Sequence, residues 1–120
     1  MSPPDQIHLS GLQLRCHIGV PEEERAGEQL LRADVVMECR GRFEDMQDEI
    51  ARTIDYAAVA ARLEQIAAGR PRALIETLAA DLAQAVLVEF GAAAVEITLK
   101  KRILPQTDHV AVRIRRVALS

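Results

Sequence analysis

The chain has 120 residues, enough for one domain spanning residues 1–120 and too few for a second domain with its own core. Its formal net charge of −3 and pI of about 5.6 argue against the dominant basic field of nucleic-acid-binding proteins. Only 2% of the residues are aromatic, which also excludes the stacking surfaces of single-strand binders. Nineteen alanines take their place and bury little apolar area each, a composition that favours association between copies.

No stretch approaches the ~20 apolar residues that a membrane helix needs. Residues 1–10 lack the basic head and apolar middle of a signal peptide. Cys16 and Cys39 show no metal-binding or redox spacing and fall on apolar positions of predicted strands. These features predict a cytoplasmic protein with two buried thiols.

The first predicted strand covers residues 6–20 and contains one irregularity. Its apolar residues alternate with polar ones, but the alternation slips by one residue at Ser10–Gly11, between Ile7 and Leu9 on one side and Leu12, Leu14, Cys16 and Ile18 on the other. An extra residue beside a glycine is typical of a β-bulge. The polar segment PEEERAGEQ predicts a turn, and a second strand with one wet side follows over residues 31–40.

Two amphipathic helices are predicted next. The first begins at Tyr56 with Thr53 or Asp55 as its N-cap and stops at Gly69 before Pro71. Its apolar face consists of Tyr56, Val59, Ala60, Leu63, Ile66 and Ala67. The second covers about residues 73–90 and ends at Gly91. Its inward positions are Leu74, Ile75, Leu78, Leu82, Ala85 and Val86.

Two more strands complete the chain, with a connection over residues 100–108. Their alternating apolar residues are Val95, Ile97 and Leu99, then Val110, Val112 and Ile114. The order ββααββ predicts an α+β fold, with an antiparallel four-stranded sheet and two helices on one face. It differs from the βαββαβ order of ferredoxin-like domains.

The residues that could carry chemistry are ambiguous by spacing alone. His8, His17 and His109 show no paired metal-ligand spacing, so no metal is expected. Glu22, Glu23 and Glu24 form either a solvated acidic loop or a functional one. Tyr56 and Glu76 each open a helix, where packing or charge complementarity to the helix dipole is the simpler interpretation. Six basic residues of the last two strands form a solvated face or an anion site: Lys100, Lys101, Arg102, Arg113, Arg115 and Arg116.

Taken together, the segments resemble the dihydroneopterin aldolase family of folate biosynthesis. The resemblance runs from Ile7 to Arg115 and is carried by IHLSGLQLRCHIGVPEEER, GEQLLRADVVME, TIDYAAVAARLEQI, ALIETLAADLAQAVL, VEITLKK and VAVRI. It implies the tunnelling fold, in which subunits join their sheets into a ring-shaped barrel, as a homo-oligomeric tetramer or octamer. That arrangement agrees with the thin core and would cover exposed sheet edges.

The resemblance also implies a reaction. The family cleaves 7,8-dihydroneopterin by a retro-aldol step into glycolaldehyde and 6-hydroxymethyl-7,8-dihydropterin. The N5=C6 imine of the pterin accepts the electrons released when the side-chain carbon bond breaks, so no protein Schiff base is required. The implied partner is a small-molecule pterin, and neither a metal nor an organic cofactor is implied.

The catalytic residues follow from the alignment. On VEITLKK the family's acid–base lysine, which works with a bound water, corresponds to Lys101, with Lys100 as the off-by-one alternative. Arg102 follows where many members have proline, which keeps that choice open. The glutamate that contacts the substrate side chain or the lysine corresponds to Glu24, with the register within Glu22–Glu24 also open.

The remaining implied contacts come from the two helices. Tyr56 helps to deprotonate the substrate hydroxyl or holds the water. Glu76 accepts hydrogen bonds from the pterin N3–H and amino group, a two-donor edge that suits a carboxylate. The backbone of Leu74 and Ile75 contributes amide contacts.

Three other functions compete with this interpretation. A sister enzyme of the same fold epimerises dihydroneopterin or its triphosphate, and the basic hairpin could hold a triphosphate. A non-catalytic ring would bind purines or pterins through Glu76 alone. RNA binding by the basic hairpin is opposed by the net charge and the scarcity of aromatics.

Overall fold

The computed structural model describes residues 2–119 and contains four strands, three helices and two short 3₁₀ turns. The elements are β1 (Gln6–Cys16), α1 (Glu22–Ala26), β2 (Gln29–Glu38), α2 (Tyr56–Gly69), α3 (Ile75–Phe90), β3 (Ala94–Lys101) and β4 (Val110–Val117), with the turns at Phe43–Asp45 and Ile50–Arg52 between β2 and α2. The α+β class is confirmed. The prediction of two helices was wrong by one, because α1 forms where a polar turn was expected.

The sheet is antiparallel in the order β1-β2-β3-β4, so β1 and β4 are its edges. The predicted bulge is confirmed, since the pairing of β1 with β2 shifts between Leu9 and Leu12 and Gly11 adopts a φ of 69°. The first strand ends at Cys16 rather than residue 20. Beyond it, Ile18 stays buried but leaves β2 and forms a single parallel bridge to Arg72.

One face of the sheet carries the helices and the other carries charge. Helix α2 packs on β1, and α3 packs on β3 and β4. Alternate apolar residues of β2 and β3 face these helices and are almost fully buried: Leu31, Ala33, Val35 and Met37 in β2, and Val95, Ile97 and Leu99 in β3. Cys16 and Cys39, both free thiols, are buried as well. The opposite face holds cross-strand ion pairs: Lys100–Asp34 at 3.0 Å, Arg115–Glu38 at 2.7 Å and Arg113–Glu96 at 3.6 Å.

Helices α2 and α3 run antiparallel to each other, so they begin at opposite ends of the sheet. Asp55, one of the two predicted caps, accepts a hydrogen bond from the Ala58 N–H at 3.2 Å and starts α2. Helix α3 begins just after the Ile18–Arg72 bridge and ends near the start of β3, at the opposite end of the sheet. Because α2 runs the other way and its 14 residues span about 21 Å, Tyr56 lies far from the end of β3.

Two side chains predicted to face the core lie outside it. Tyr56 is 58% exposed and Leu74 is 44% exposed. Tyr56 is the first residue of α2 and Leu74 is the N-cap of α3, so both exposed side chains lie at the start of a helix. Among residues 2–119, no helix combines the length and the hydropathy needed to cross a membrane.

Candidate active site

Lys101 is the last residue of β3 and points to the helix side of the sheet. Leu99 and Ile97, two and four residues earlier, are fully buried on that side. The Lys101 ammonium forms an ion pair with the Glu24 carboxylate and donates a long hydrogen bond of 3.5 Å to the Ile18 carbonyl. The Lys101 side chain is only 12% exposed, so this cation and its partner carboxylate are largely shielded from water.

Lys100 lies on the other face, as alternation along a strand requires. Its ammonium is 3.0 Å from Asp34 Oδ2, on the charged side of the sheet. The bulge supports this contact, because the Gly11 N–H donates to Asp34 Oδ1 at 2.8 Å. That backbone hydrogen bond lowers the pKa of Asp34, and the Lys100 ammonium lowers it further. The two lysines therefore have separate partners in separate environments.

Helix α1 delivers Glu24 to Lys101, whereas Glu22 and Glu23 stay exposed. Five residues are too few for a helix to be stable alone, so contacts outside α1 must hold it. Arg25 Nη1 donates to the Gly19 carbonyl at 2.8 Å, and Gln29 Nε2 donates to the Glu24 carbonyl at 2.9 Å. Sequence reasoning missed both residues because they fall in a segment that looked like a polar turn.

Gln29 has a second property that matters at a binding site. Its Oε1 is a buried acceptor with no partner among residues 2–119. A buried acceptor normally has a hydrogen-bond donor or an ordered water. Gln29 pairs with Cys16 at the end of the sheet where Lys101 lies, so its free acceptor is available to a water or ligand there.

Gly19 makes the close approach of Glu24 feasible. Its φ is 153°, which side chains rarely tolerate, and a Cβ at this position would lie 2.7–2.9 Å from three carbons of the Glu24 side chain. We expect Gly19→Ala to displace Glu24 from Lys101 and to lower activity, with a cost in stability of about 1–3 kcal/mol. Steady-state kinetics and thermal unfolding measure the two effects.

Gly27→Ala is the matched control for that variant. Gly27 lies in the same connection between β1 and β2, at the other end of α1, and has an ordinary φ of −87°. The nearest contact for a Cβ at Gly27 is 3.8 Å away. Its substitution is expected to leave activity near wild type. Equal activity of both alanine variants would contradict the role given to Gly19.

Cys16 is a buried thiol near Lys101. Burial raises the pKa of the Cys16 thiol, and the nearby Lys101 and Arg72 cations oppose part of that rise. The thiol is therefore protonated at neutral pH and unreactive.

The start of α3 presents a second set of polar groups at the same end of the sheet. Glu76 is exposed in the first turn, and Leu74 provides no side-chain cap. The first N–H groups of a helix lack intrahelical partners. An exposed carboxylate beside free N–H groups suits a flat ligand whose edge carries both donors and acceptors.

Tyr56 is the sequence-predicted site residue that the fold separates from the others. Glu24, Lys101 and the start of α3 share one end of the sheet, and Tyr56 lies at the other end, beyond the length of α2. Within one copy of the chain, Tyr56 cannot reach Lys101. A site that uses both residues needs two copies.

Known proteins are similar to this chain in sequence and in fold. A family model described as dihydroneopterin aldolase matches residues 7–115. The dihydroneopterin aldolase of Streptomyces coelicolor is 36% identical over 115 residues, covering 93% of this chain and 97% of the relative. A Vibrio cholerae structure described as a dihydroneopterin aldolase has a TM-score of 0.90 at 26% identity, covering 97% of this chain and 99% of its own. An Escherichia coli dihydroneopterin aldolase, solved in complex with neopterin, has a TM-score of 0.86 at 28% identity, covering 93% and 98%.

The matches extend over nearly the whole chain and nearly the whole of each relative. The fold is thus that of a pterin-metabolising α+β enzyme with a shielded lysine–glutamate pair at the end of its sheet. The chain belongs to the dihydroneopterin aldolase family. The resemblance inferred from the sequence is confirmed.

Proposed function

We propose that this protein cleaves 7,8-dihydroneopterin into 6-hydroxymethyl-7,8-dihydropterin and glycolaldehyde, with Lys101 and a water as acid and base. The observation that carries the proposal is the shielded Lys101–Glu24 ion pair, which lies at the end of the sheet where α3 begins. Family membership supports the reaction. The ion pair supports Lys101, rather than Lys100, as the acting lysine.

The pterin ring binds at the start of α3. The Glu76 carboxylate accepts hydrogen bonds from the N3–H and the 2-amino group, and N–H groups at Leu74–Ile75 donate to the ring acceptors. The exposure of Glu76 and the absence of a side-chain cap at Leu74 support this orientation. The ring's C6 side chain then extends toward Lys101.

The chemistry needs three proton transfers. The water, held by Lys101 and by Tyr56 of a second copy, removes the proton of the 2′-hydroxyl. As C2′ becomes the carbonyl of glycolaldehyde, the C1′–C2′ bond breaks and its electrons form C1′=C6 while N5 gains a proton from Lys101. Transfer of a proton from N5 to C1′ gives the hydroxymethyl product. Glu24 orients the Lys101 ammonium and contacts the substrate side chain.

The direct test is incubation of the purified protein with 7,8-dihydroneopterin, with chromatographic detection of the hydroxymethyl pterin and chemical trapping of glycolaldehyde. Equimolar appearance of both products is expected. A protein that binds neopterin but releases neither product would be a pterin-binding ring instead.

One observation favours a second candidate, the epimerase of phosphorylated dihydroneopterin. A cavity of about 520 Å³ on the charged face is lined by Arg32, Lys100, Arg102 and His109, with Asp108 and Leu30. Phosphate groups suit a cavity with several basic side chains. Release of the epimer, rather than free glycolaldehyde, from the triphosphorylated substrate would identify this activity.

We expect a symmetric homo-oligomer, a tetramer or octamer closed as a ring-shaped barrel. The long edge strands β1 and β4 have no partner on their outer sides within the sheet, and unpaired edges are a liability. Tyr56 and Lys101 meet only between copies. Light scattering at micromolar concentration should give a mass several times 13.2 kDa. A monomer that retains full activity would contradict the shared site.

A further inference from the structure

Arg72 is a charged residue inside the apolar core. Only 6% of its surface is exposed, and its guanidinium faces the second turn of α3, where Nε lies 2.9 Å from Asp81 Oδ2. Nη1 donates to the Arg70 carbonyl at 3.1 Å. Asp81 is partly exposed and also binds the Arg70 side chain at 3.0 Å. The buried charge is therefore paired, which it must be in a core.

The backbone of Arg72 joins a different part of the molecule. Its N–H donates to the His17 carbonyl at 3.0 Å, and its own carbonyl accepts from the Gly19 N–H at 3.1 Å. Ile18 lies between His17 and Gly19, and its carbonyl accepts the hydrogen bond from the Lys101 ammonium. The segment of residues 17–19 is thus held between Lys101 and Arg72. Lys101 and Arg72 both lie close enough to Cys16 for their charges to lower the pKa of its thiol.

We propose that the Arg72–Asp81 ion pair is a positioning element for Lys101 and Glu24. Through Arg72, it fixes the 17–19 segment to α3, the helix whose first turn carries Glu76. Gly19, at the end of that segment, is in contact range of Glu24, and Ile18 holds Lys101. The ion pair thereby sets the distance between the proton-transfer groups and the start of α3. This inference rests on the function proposed above.

Positioning is distinguishable from stabilisation because the two roles respond differently to removal of both charges. Breaking a buried ion pair on one side leaves an unpaired charge and destabilises a protein, whereas apolar replacement of the whole pair is often neutral. Asp81→Asn should therefore lower the melting temperature, and the double variant Arg72→Met with Asp81→Asn should recover most of it. A displacement of about 1 Å between reacting groups can cost a factor of about 10² in rate.

The experiment measures melting temperature, neopterin affinity and single-turnover cleavage of 7,8-dihydroneopterin for the wild type, Asp81→Asn and the double variant. We expect the double variant to regain stability and to bind neopterin nearly as well as the wild type, while its cleavage rate stays at least about tenfold lower. Arg62→Gln is the matched control. It breaks the exposed Arg62–Glu89 ion pair between α2 and α3, 2.9 Å in length, and should leave all three measurements unchanged.

Recovery of wild-type cleavage together with stability in the double variant would overturn the inference and leave the proposed function intact. A wild-type protein that does not cleave the substrate would overturn the proposed function, and this inference with it. The two failures are therefore separate results of the same experiment.

Discussion

Lys101→Ala is expected to lower kcat by about 10²–10⁴-fold, the usual contribution of general acid–base catalysis. Lys101 is the amine on the helix side of β3, and its Glu24 partner shields it from water. The alanine variant loses one of the two groups that hold the water and the group that protonates N5. Neopterin affinity should fall much less, because Glu76 still binds the ring. Single-turnover rates and a neopterin titration separate the two effects.

Lys100→Ala is the control within the same strand. Lys100 pairs with Asp34 on the opposite face and is 39% exposed, so its loss should change the rate by no more than a few-fold. Tyr56→Phe, measured alongside, reports on the contribution from the second copy. A large loss of activity in Lys100→Ala would mean that the register is wrong by one residue. Normal rates in both lysine variants would exclude a catalytic role for either lysine.

Glu76→Ala is expected to weaken pterin binding by at least about tenfold, because hydrogen bonds to a charged group contribute roughly 1.5–3 kcal/mol each. Glu76 is exposed and forms no ion pair among residues 2–119, so the fold should be unaffected. Fluorescence titration with neopterin measures the affinity, and circular dichroism checks the fold.

Glu64→Ala provides the comparison for a lost surface carboxylate. Glu64 is exposed on α2, away from the start of α3, and its replacement should leave the affinity unchanged. Unaltered neopterin affinity in Glu76→Ala would remove Glu76 from the proposed site.

The sequence predicts the long elements well because their alternation and helical periodicity come from burial on one side. The slip at Ser10–Gly11 appears in the structure as the bulge opposite Asp34. Strand β2 spans Gln29–Glu38 rather than residues 31–40. Two other boundaries differ from the prediction for a physical reason. The alternation of β1 continues to Ile18, but its partner changes from β2 to Arg72, and no pattern within β1 records that change. Leu74 fits the helical period, but it is the N-cap residue and has an extended backbone, so the helix begins after it.

Only part of the candidate site can be predicted from the sequence. Strand alternation alone assigns Lys100 and Lys101 to opposite faces. Contacts that depend on tertiary structure do not appear in any local pattern, and these include the support of α1 by Gln29 and the pairing of Arg72 with Asp81. The exposure of Tyr56 also required the helix to be placed on the sheet.

The carboxylate partners of the two lysines affect whether the lysine amines react with the aldehyde product. The proposed reaction releases an aldehyde at the end of β3, and neutral amines condense with aldehydes to form imines. Lys100 and Lys101 are the chain's only lysines, against thirteen arginines. Each is engaged by a carboxylate, Asp34 for one and Glu24 for the other. Lys101 gives up a proton in the proposed reaction, and the Glu24 carboxylate beside it favours the return of that proton. Once reprotonated and ion-paired, the amine has no lone pair with which to attack the aldehyde, so Glu24 shortens the time during which Lys101 can form an imine.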